Sequence, residues 1–481
     1  MTPRVSEQEF CQSALPVLEQ YATIPCLSPN FDAHWADNGH LDNAMGLFAS
    51  WAEGLGLRGA TVEIRSIAGR TPMLFVDVPS TCGADGTVVL YGHLDKQPAL
   101  GTWGEGLDPF TPVRRDDRLY ARGVADDGYA LFAALLGVQA LQRDGVGHAR
   151  CVVLIEASEE SGSPDLESHL DSIGESLGRV DLLVCLDSGA LTYDRLWVTT
   201  SLRGMAVLHV TVEVLHHGVH SGTAGGVVPS SFRILRELLD RIENPRTGEI
   251  VLHSLHAKIP DSHLAAAGLV AQDFGDPAAD ELPVVEGLEV MGRDGADRLV
   301  RRTWEPALSV IGIDGIPSPG EAANVVRPGT TVVIGVRLPP TVSSAVAGHQ
   351  LVETLTADPP SGAKVTVTES SLANGWVAPP LQPWLRDAVA AASIETFGRE
   401  PGFVGEGGSI PFLASLGARF PSVQFLATGV LGPGSNAHGP DESLHLPTAS
   451  KLCDVVAAVV AAHAEWRLTE KSHRPQTKEP A

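Results

Sequence analysis

Residues 152–166, VVLIEASEESGSPDL, open as an apolar run and end by setting two carboxylates, Glu159 and Glu160, side by side. The run reads as a buried strand, so the acids stand where a strand of an α/β sheet stops. On a solvated loop adjacent like charges cost little. At the carboxyl end of a buried strand their repulsion calls for a nearby cation, and such ends are where α/β sheets bind ligands.

The flanking sequence repeats the pattern. Helix 41–53, strands 61–67, 73–78 and 87–92, helix 129–142, strand 150–156, helix 164–177 and strand 181–186 come one after another, which predicts a largely parallel sheet with helices on its faces. The helix near Tyr129 buries Leu131, Leu135, Val138 and Leu141 at helical spacing, and Gly145 stops it. From Gly204 to Asn374 the texture changes: MAVLHVTVEVL alternates, helices fall at 229–242 and 342–356, and strands at 307–313, 330–337 and 363–369. Residues 244–302 read as an irregular insertion with one helix. After 381 the first texture returns, with helices 381–397 and 448–466 around strand 422–427. The expected division is an α/β domain at 1–203 and 375–470, an α+β lid at 204–374, and a mobile tail at 471–481.

Composition narrows the class. With 481 residues, 43% hydrophobic and 19% charged, the chain can bury a sizeable core. Its net charge of −24 repels phosphate backbones and anionic lipid, so nucleic acid and membrane partners are not expected. No apolar run reaches the length needed to cross a bilayer and the N-terminus lacks a signal-peptide pattern, which makes cytoplasmic the expected location. The six cysteines form no C-x-x-C pair and read as reduced core residues.

Two short motifs mislead. GLGLRG at 54–59 comes after a helix and before a strand, the reverse of a dinucleotide-binding turn. GESLG at 174–178 has the same reversed order around Ser176, against a nucleophile elbow. The stronger signal is a set of acids and histidines placed where strands and loops end: His93 with Asp95 in YGHLD, Asp126 and Asp127 before a helix, Glu159 with Glu160, Asp187 in CLDSG, and His438 in GSNAHGPDE. Taken singly, each has an ordinary explanation as a turn or cap residue. Together, two histidines and three carboxylates along one crevice suit a pair of divalent ions about 3.5 Å apart.

These residues, with YGHLDKQP, ARGVADDG, EASEESGS, CLDSG, HSGTAGG, EGGSIP and NAHGPDE in that order, resemble the two-zinc metallopeptidase family of carnosinases, cytosolic non-specific dipeptidases, aminoacylase 1, carboxypeptidase G and succinyl-diaminopimelate desuccinylase. The dipeptidase and carnosinase branch is nearest, because Asp stands at 187. The resemblance implies a zinc-peptidase-like catalytic domain with a mostly parallel central sheet, interrupted by an α+β lid and dimerisation domain. It implies His93, Asp126, Glu160, Asp187 and His438 as metal ligands with Asp126 bridging, Glu159 as general base, and Asp95 orienting His93. His220, Asn324, Arg337, Gly408 and Ser409 are the implied substrate contacts. The same resemblance implies two divalent ions, zinc first, with manganese or cobalt as alternatives, in a homodimer paired through the lids.

The expected reaction is hydrolysis of a dipeptide or similar small amide bearing a free carboxylate, by hydroxide generated between the ions. An N-acyl amino acid deacylase or pathway-specific amidohydrolase is the alternative within this chemistry, and a non-catalytic metal-binding protein the alternative outside it. Gly128 and Tyr129 stand where the family usually has Lys-Gly, Lys96 where an apolar residue is common, and Asn324 where dipeptidases tend to have Thr. These departures bear on specificity more than on the hydrolytic site.

Overall fold

The computed structural model describes residues 3–280, 282–408 and 410–473, which form two compact units. The first runs through Thr199, resumes at Ala378–Phe403 and continues from Ser415; the second comprises Thr200–Val377 and Val404–Ala414.

The first unit is built on a six-stranded sheet in the order Thr61–Arg65, Met73–Val78, Arg150–Glu156, Thr87–His93, Val180–Cys185, Gln424–Ala427. The two outermost pairings at the Thr61 side are antiparallel and the remaining three are parallel. Register aligns the strand ends. His93 lies opposite Glu156, and Tyr91 lies opposite both Leu154 and Cys185. Three parallel strands therefore end level with one another, and the residues just beyond them emerge along one edge of the sheet.

The helix Ala130–Arg143 is buried on nearly all sides, taking in Phe132, Ala133 and Leu136 beyond the four residues of the apolar stripe. Each fully buried large side chain contributes about 1.5–3 kcal/mol. Gly137 permits the helix Leu446–His473 to cross closely, since a Cβ there would lie 2.7 Å from the Cys453 carbonyl oxygen. That second helix corrects the sequence reading of membrane length: its composition and 28 residues would suffice to cross a bilayer, because interspersed small and polar residues hide the apolar window from a search for unbroken runs. Here 67% of that window is buried within the protein, as in a core helix. The helix also takes in Lys471–His473, assigned to the tail by sequence; the remaining tail lies outside the described residues.

The second unit has a four-stranded antiparallel sheet in the order Ala307–Asp314, Gly329–Leu338, Gly204–Glu213, Lys364–Ala373. Alternation along Gly204–Glu213 buries Ala206, Leu208, Val210 and Val212 with Ile234, Leu238 and Leu351 of the helices Ser231–Leu239 and Ser344–Thr356. The insertion contains two helices, Asp261–Phe274 and Gly295–Trp304, where one was expected. Alanine and glycine blur the first helix's stripe, whereas the second has a readable signal in Asp294, whose carboxylate caps the Asp297 N–H.

Candidate metal centre

Parallel pairing brings the expected ligands of the first unit together. His93 is the last residue of its strand, Glu159 and Glu160 sit in a short 3-10 turn after Arg150–Glu156, and Asp187 stands two residues beyond Val180–Cys185. Asp126 precedes the helix Ala130–Arg143, joined to Asp127 by a cis peptide bond. His438 arrives from a loop in which Asn436, His438 and Asp441 all have left-handed φ, between +50° and +63°. Asn, Asp and His tolerate that conformation better than other side chains, at a cost that contacts to the loop offset. Here Gly104 N–H bonds Asp441 at 2.7 Å, Arg122 bonds the Gly439 carbonyl at 2.7 Å, and the Asn436 amide bonds the Pro440 carbonyl.

Asp126 is the hub. Its Oδ1 lies 3.2 Å from His93 Nε2 and its Oδ2 lies 3.0 Å from His438 Nε2, so its two oxygens face different imidazoles. His93 Nε2 is also 3.7 Å from Asp187, and His438 Nε2 is 3.2 Å from Glu160. Ligand atoms of His93, Asp126 and Glu160 lie within 4.8 Å of one another, as do those of His93, Glu159 and Asp187. Asp95 is fully buried behind His93, 3.5 Å from Nδ1, and accepts the N–H groups of Glu159 and Glu160 at 3.1 and 3.0 Å.

The charge distribution fits a divalent ion. Burial pushes Glu159 well above the ordinary carboxylate range, with Asp187 and Glu160 adding to it, and burial and Asp126 raise Glu160. Asp127 is likewise raised by burial and by Asp187, and its Oδ1 is buried without a hydrogen bond. Burial works against the charged form of His438, yet hydrogen bonds to Asp126 and Glu160 outweigh it and bring the imidazole up to about 11. The acids thus draw a cation into their midst. Nitrogen and oxygen donors in this number suit a metal ion.

Several residues that sequence gave no supporting role surround the site. Glu442, from NAHGPDE, is fully buried, pairs with Arg122 at 2.7 Å and accepts the N–H groups of Gly123, Ala125 and Asp126, which sets the Asp126 backbone. Its place in the motif was its only signal. Gln97 donates to Glu160 at 2.7 Å. The Tyr129 hydroxyl bonds the Leu186 carbonyl next to Asp187. Burial pushes Glu156 up to about 7 while Tyr91 and Ser163 hold it from the other direction.

Two departures acquire a physical account. A Cβ at Gly128 would stand 2.4 Å from the Tyr21 ring and 2.5 Å from the Gly123 carbonyl oxygen, so a side chain cannot fit there while Tyr21 keeps its place. Lys96 is buried instead, with its ammonium on the carbonyls of Tyr21, Ala22 and Ile24 at 3.0, 3.3 and 2.9 Å and 4.1 Å from the Tyr21 ring centre. It closes the C-terminal end of the helix Leu15–Ala22.

The remaining predicted residues belong to the second unit. Exposed His220 accepts the Gly222 N–H through Nδ1 at 3.0 Å, and the carbonyl of exposed Asn324 accepts the Ser221 N–H at 2.9 Å. These two are neighbours. Arg337 lies near the far end of the strand Gly329–Leu338, whose eight steps from Gly329 span roughly 26 Å. Burial lowers Arg337. Arg203 hydrogen-bonds the carbonyls of Gly407, Arg301 and Glu305 at 3.2, 3.5 and 3.2 Å, next to exposed Gly408. Ser409 lies outside the described residues.

Residues 89–462 match peptidase family M20/M25/M40. The chain belongs to this family. It is a metal-dependent hydrolytic enzyme of the peptidase class. The peptidase is 30% identical over 409 residues to a cysteinylglycine-S-conjugate dipeptidase of Corynebacterium striatum, covering 82% of this chain and 83% of the relative. It is 28% identical over 379 residues to a beta-Ala-His dipeptidase of Mus musculus, covering 75% and 73%. Its fold is similar to human carnosine dipeptidase 1, with a TM-score of 0.77 at 21% identity over 95% of this chain and 97% of that one. The dipeptidase Dug1p of Saccharomyces cerevisiae gives the same TM-score and coverage at 22% identity.

Proposed function

We propose that this peptidase is a dipeptidase, cleaving the amide bond of a dipeptide or similarly small substrate that carries a free carboxylate. One observation carries the reading: His93, Asp126, Glu160, Asp187 and His438 converge at one sheet edge with Glu159 beside them. The dipeptide-sized substrates in the relatives' names support the same size class. In this reading His93, Asp126, Glu160, Asp187 and His438 would hold two divalent ions, with Asp126, which faces both imidazoles, shared between them. Zinc is the first candidate, and manganese and cobalt suit the same donors. Divalent ions there would acidify a water and polarise the scissile carbonyl.

The chain's own groups do the rest. Glu159 takes a proton from the attacking water and returns it to the leaving amine. Asp95 holds the imidazole of His93 from behind and, through two N–H groups, the turn that presents Glu159. Arg337 grips the substrate carboxylate with a planar pair of donors, supported by Gly408 and Ser409. His220 and Asn324 stand at the opposite end of the strand Gly329–Leu338 from Arg337, which supports a homodimer in which they serve a neighbouring subunit's substrate.

The test is a substrate panel of dipeptides, β-alanyl peptides and N-acyl amino acids, run after reconstitution with zinc, manganese or cobalt. Turnover of free dipeptides, abolished by chelation, is expected. Turnover confined to N-acyl amino acids would replace this reading with deacylation, and fully metallated protein inert to the whole panel would end it.

A further inference from the structure

We infer that Glu156 is a positioning residue whose carboxylate fixes the turn presenting Glu159 and Glu160. It is 3% exposed and ends the strand Arg150–Glu156 directly opposite His93. Three hydroxyls converge on it: Tyr91 and Ser163 donate to Oε1 at 2.5 and 2.9 Å, and Ser158 donates to Oε2 at 3.3 Å. Ser158 and Ser163 bracket the acid pair in sequence. One side chain thereby fastens both ends of the turn.

The turn needs such a fastening. Ser163 has a left-handed φ of +54°, which costs free energy for a residue with a Cβ unless its partners hold it there. The Ser158 carbonyl accepts the N–H groups of Ser161 and Ser163 at 3.1 and 2.9 Å, and Gly162 N–H bonds the Glu159 carbonyl at 2.7 Å. These bonds close the loop on itself without orienting it towards the sheet. Ser28 and Asn30 tie down Ser161 at the middle of the turn, and two buried carboxylates hold the acid pair and its flanks: Asp95 takes the N–H groups of Glu159 and Glu160, and Glu156 takes the flanking hydroxyls. Its two oxygens suit the second task because together they offer acceptors to all three hydroxyls. An apolar side chain would take away the acceptor that ties Ser158 and Ser163 to the end of the strand and free the turn to shift.

The inference rests on Glu159 acting as the proton carrier, a role sensitive to displacement. Misplacing a reacting group by about 1 Å costs roughly a hundredfold in rate. The experiment compares Glu156→Leu, Glu156→Gln, Tyr91→Phe and Ser163→Ala by steady-state kinetics, metal content from elemental analysis, and thermal melting. Glu156→Leu is expected to lower kcat by roughly thirtyfold or more while KM stays within about twofold and both ions remain bound. Glu156→Gln, which keeps the shape and an acceptor, should restore most of kcat, and the single-hydroxyl variants should fall between. The inference is overturned if Glu156→Leu keeps its kcat. It is equally overturned if metal content and melting temperature fall in step with kcat in the single-hydroxyl variants, which would make Glu156 a general support of the fold. Failure of the proton-carrier reading would show separately, as full activity in Glu159→Gln.

Discussion

In the first unit the carboxylates of Asp95, Asp126, Glu159, Glu160 and Asp187 crowd one sheet edge against two imidazoles, whereas in the second unit Arg302 and Arg337 act on Arg203. Like charges repel in both places. The first cluster responds by raising Glu159, and the second by lowering Arg203 to about 10, through burial first and then its neighbouring arginines. The described hydrogen bonds of Arg203 run to backbone carbonyls, which hold its geometry without cancelling its charge. One region is arranged to accept a cation and the other to accept an anion. On the proposed reading, that is a division between the metal and the substrate's carboxylate.

Removing the proposed proton carrier gives the largest expected effect on this contrast. Glu159→Gln should lower kcat by about 10²–10⁴-fold while the protein still binds its ions, measured by kinetics alongside elemental analysis. Unchanged kcat would remove proton transfer from the acidic region's duties. Arg337→Lys comes next: it keeps the charge and loses the planar fork, so KM should rise by roughly tenfold or more with kcat less affected. A loss of kcat at constant KM would move Arg337 from recognition to chemistry.

The smallest effect serves as a control, because it concerns charge burial in the first unit outside the acid cluster. Asp454, which accepts the Val5 N–H at 2.7 Å, is pushed by burial up to about 6, with that N–H pulling the other way. Its proton is therefore held more tightly in the folded than in the unfolded chain. The stability this contributes is complete below about pH 4 and is lost as pH rises through about 6. Asp454→Asn keeps an acceptor for Val5 and removes the buried charge. Its melting temperature should match the parent at about pH 4 and exceed it by about 1–3 °C at about pH 7.5, with kcat and KM unchanged. A parent that gains on the variant as pH rises would reverse the sign.

Much of the acidic region was legible because it is built from local patterns. Apolar runs ending in His93, Glu159 and Asp187 announce strands of a parallel sheet, and parallel strands deliver their ends to one edge. The arginine region was less legible. Arg337 stood out only through a resemblance, and Arg203 and Arg302 were passed over, since nothing periodic links residues 203, 302 and 337. The insertion's two helices were missed in part for the same reason, as an alanine-rich segment carries little contrast between its faces.

Sequence alone settled most elements of the first unit's sheet and which side chains stand at their ends, because periodicity and turn chemistry act over a few residues. Only the folded chain decided that Asp126 offers one oxygen to each imidazole, that Glu442 reaches back some 320 residues to pair with Arg122, and that Glu156 gathers hydroxyls from both sides of the acid pair. Those partnerships depend on closing long loops and on burial that leaves few polar groups without a partner, and neither condition is written in any short stretch of residues.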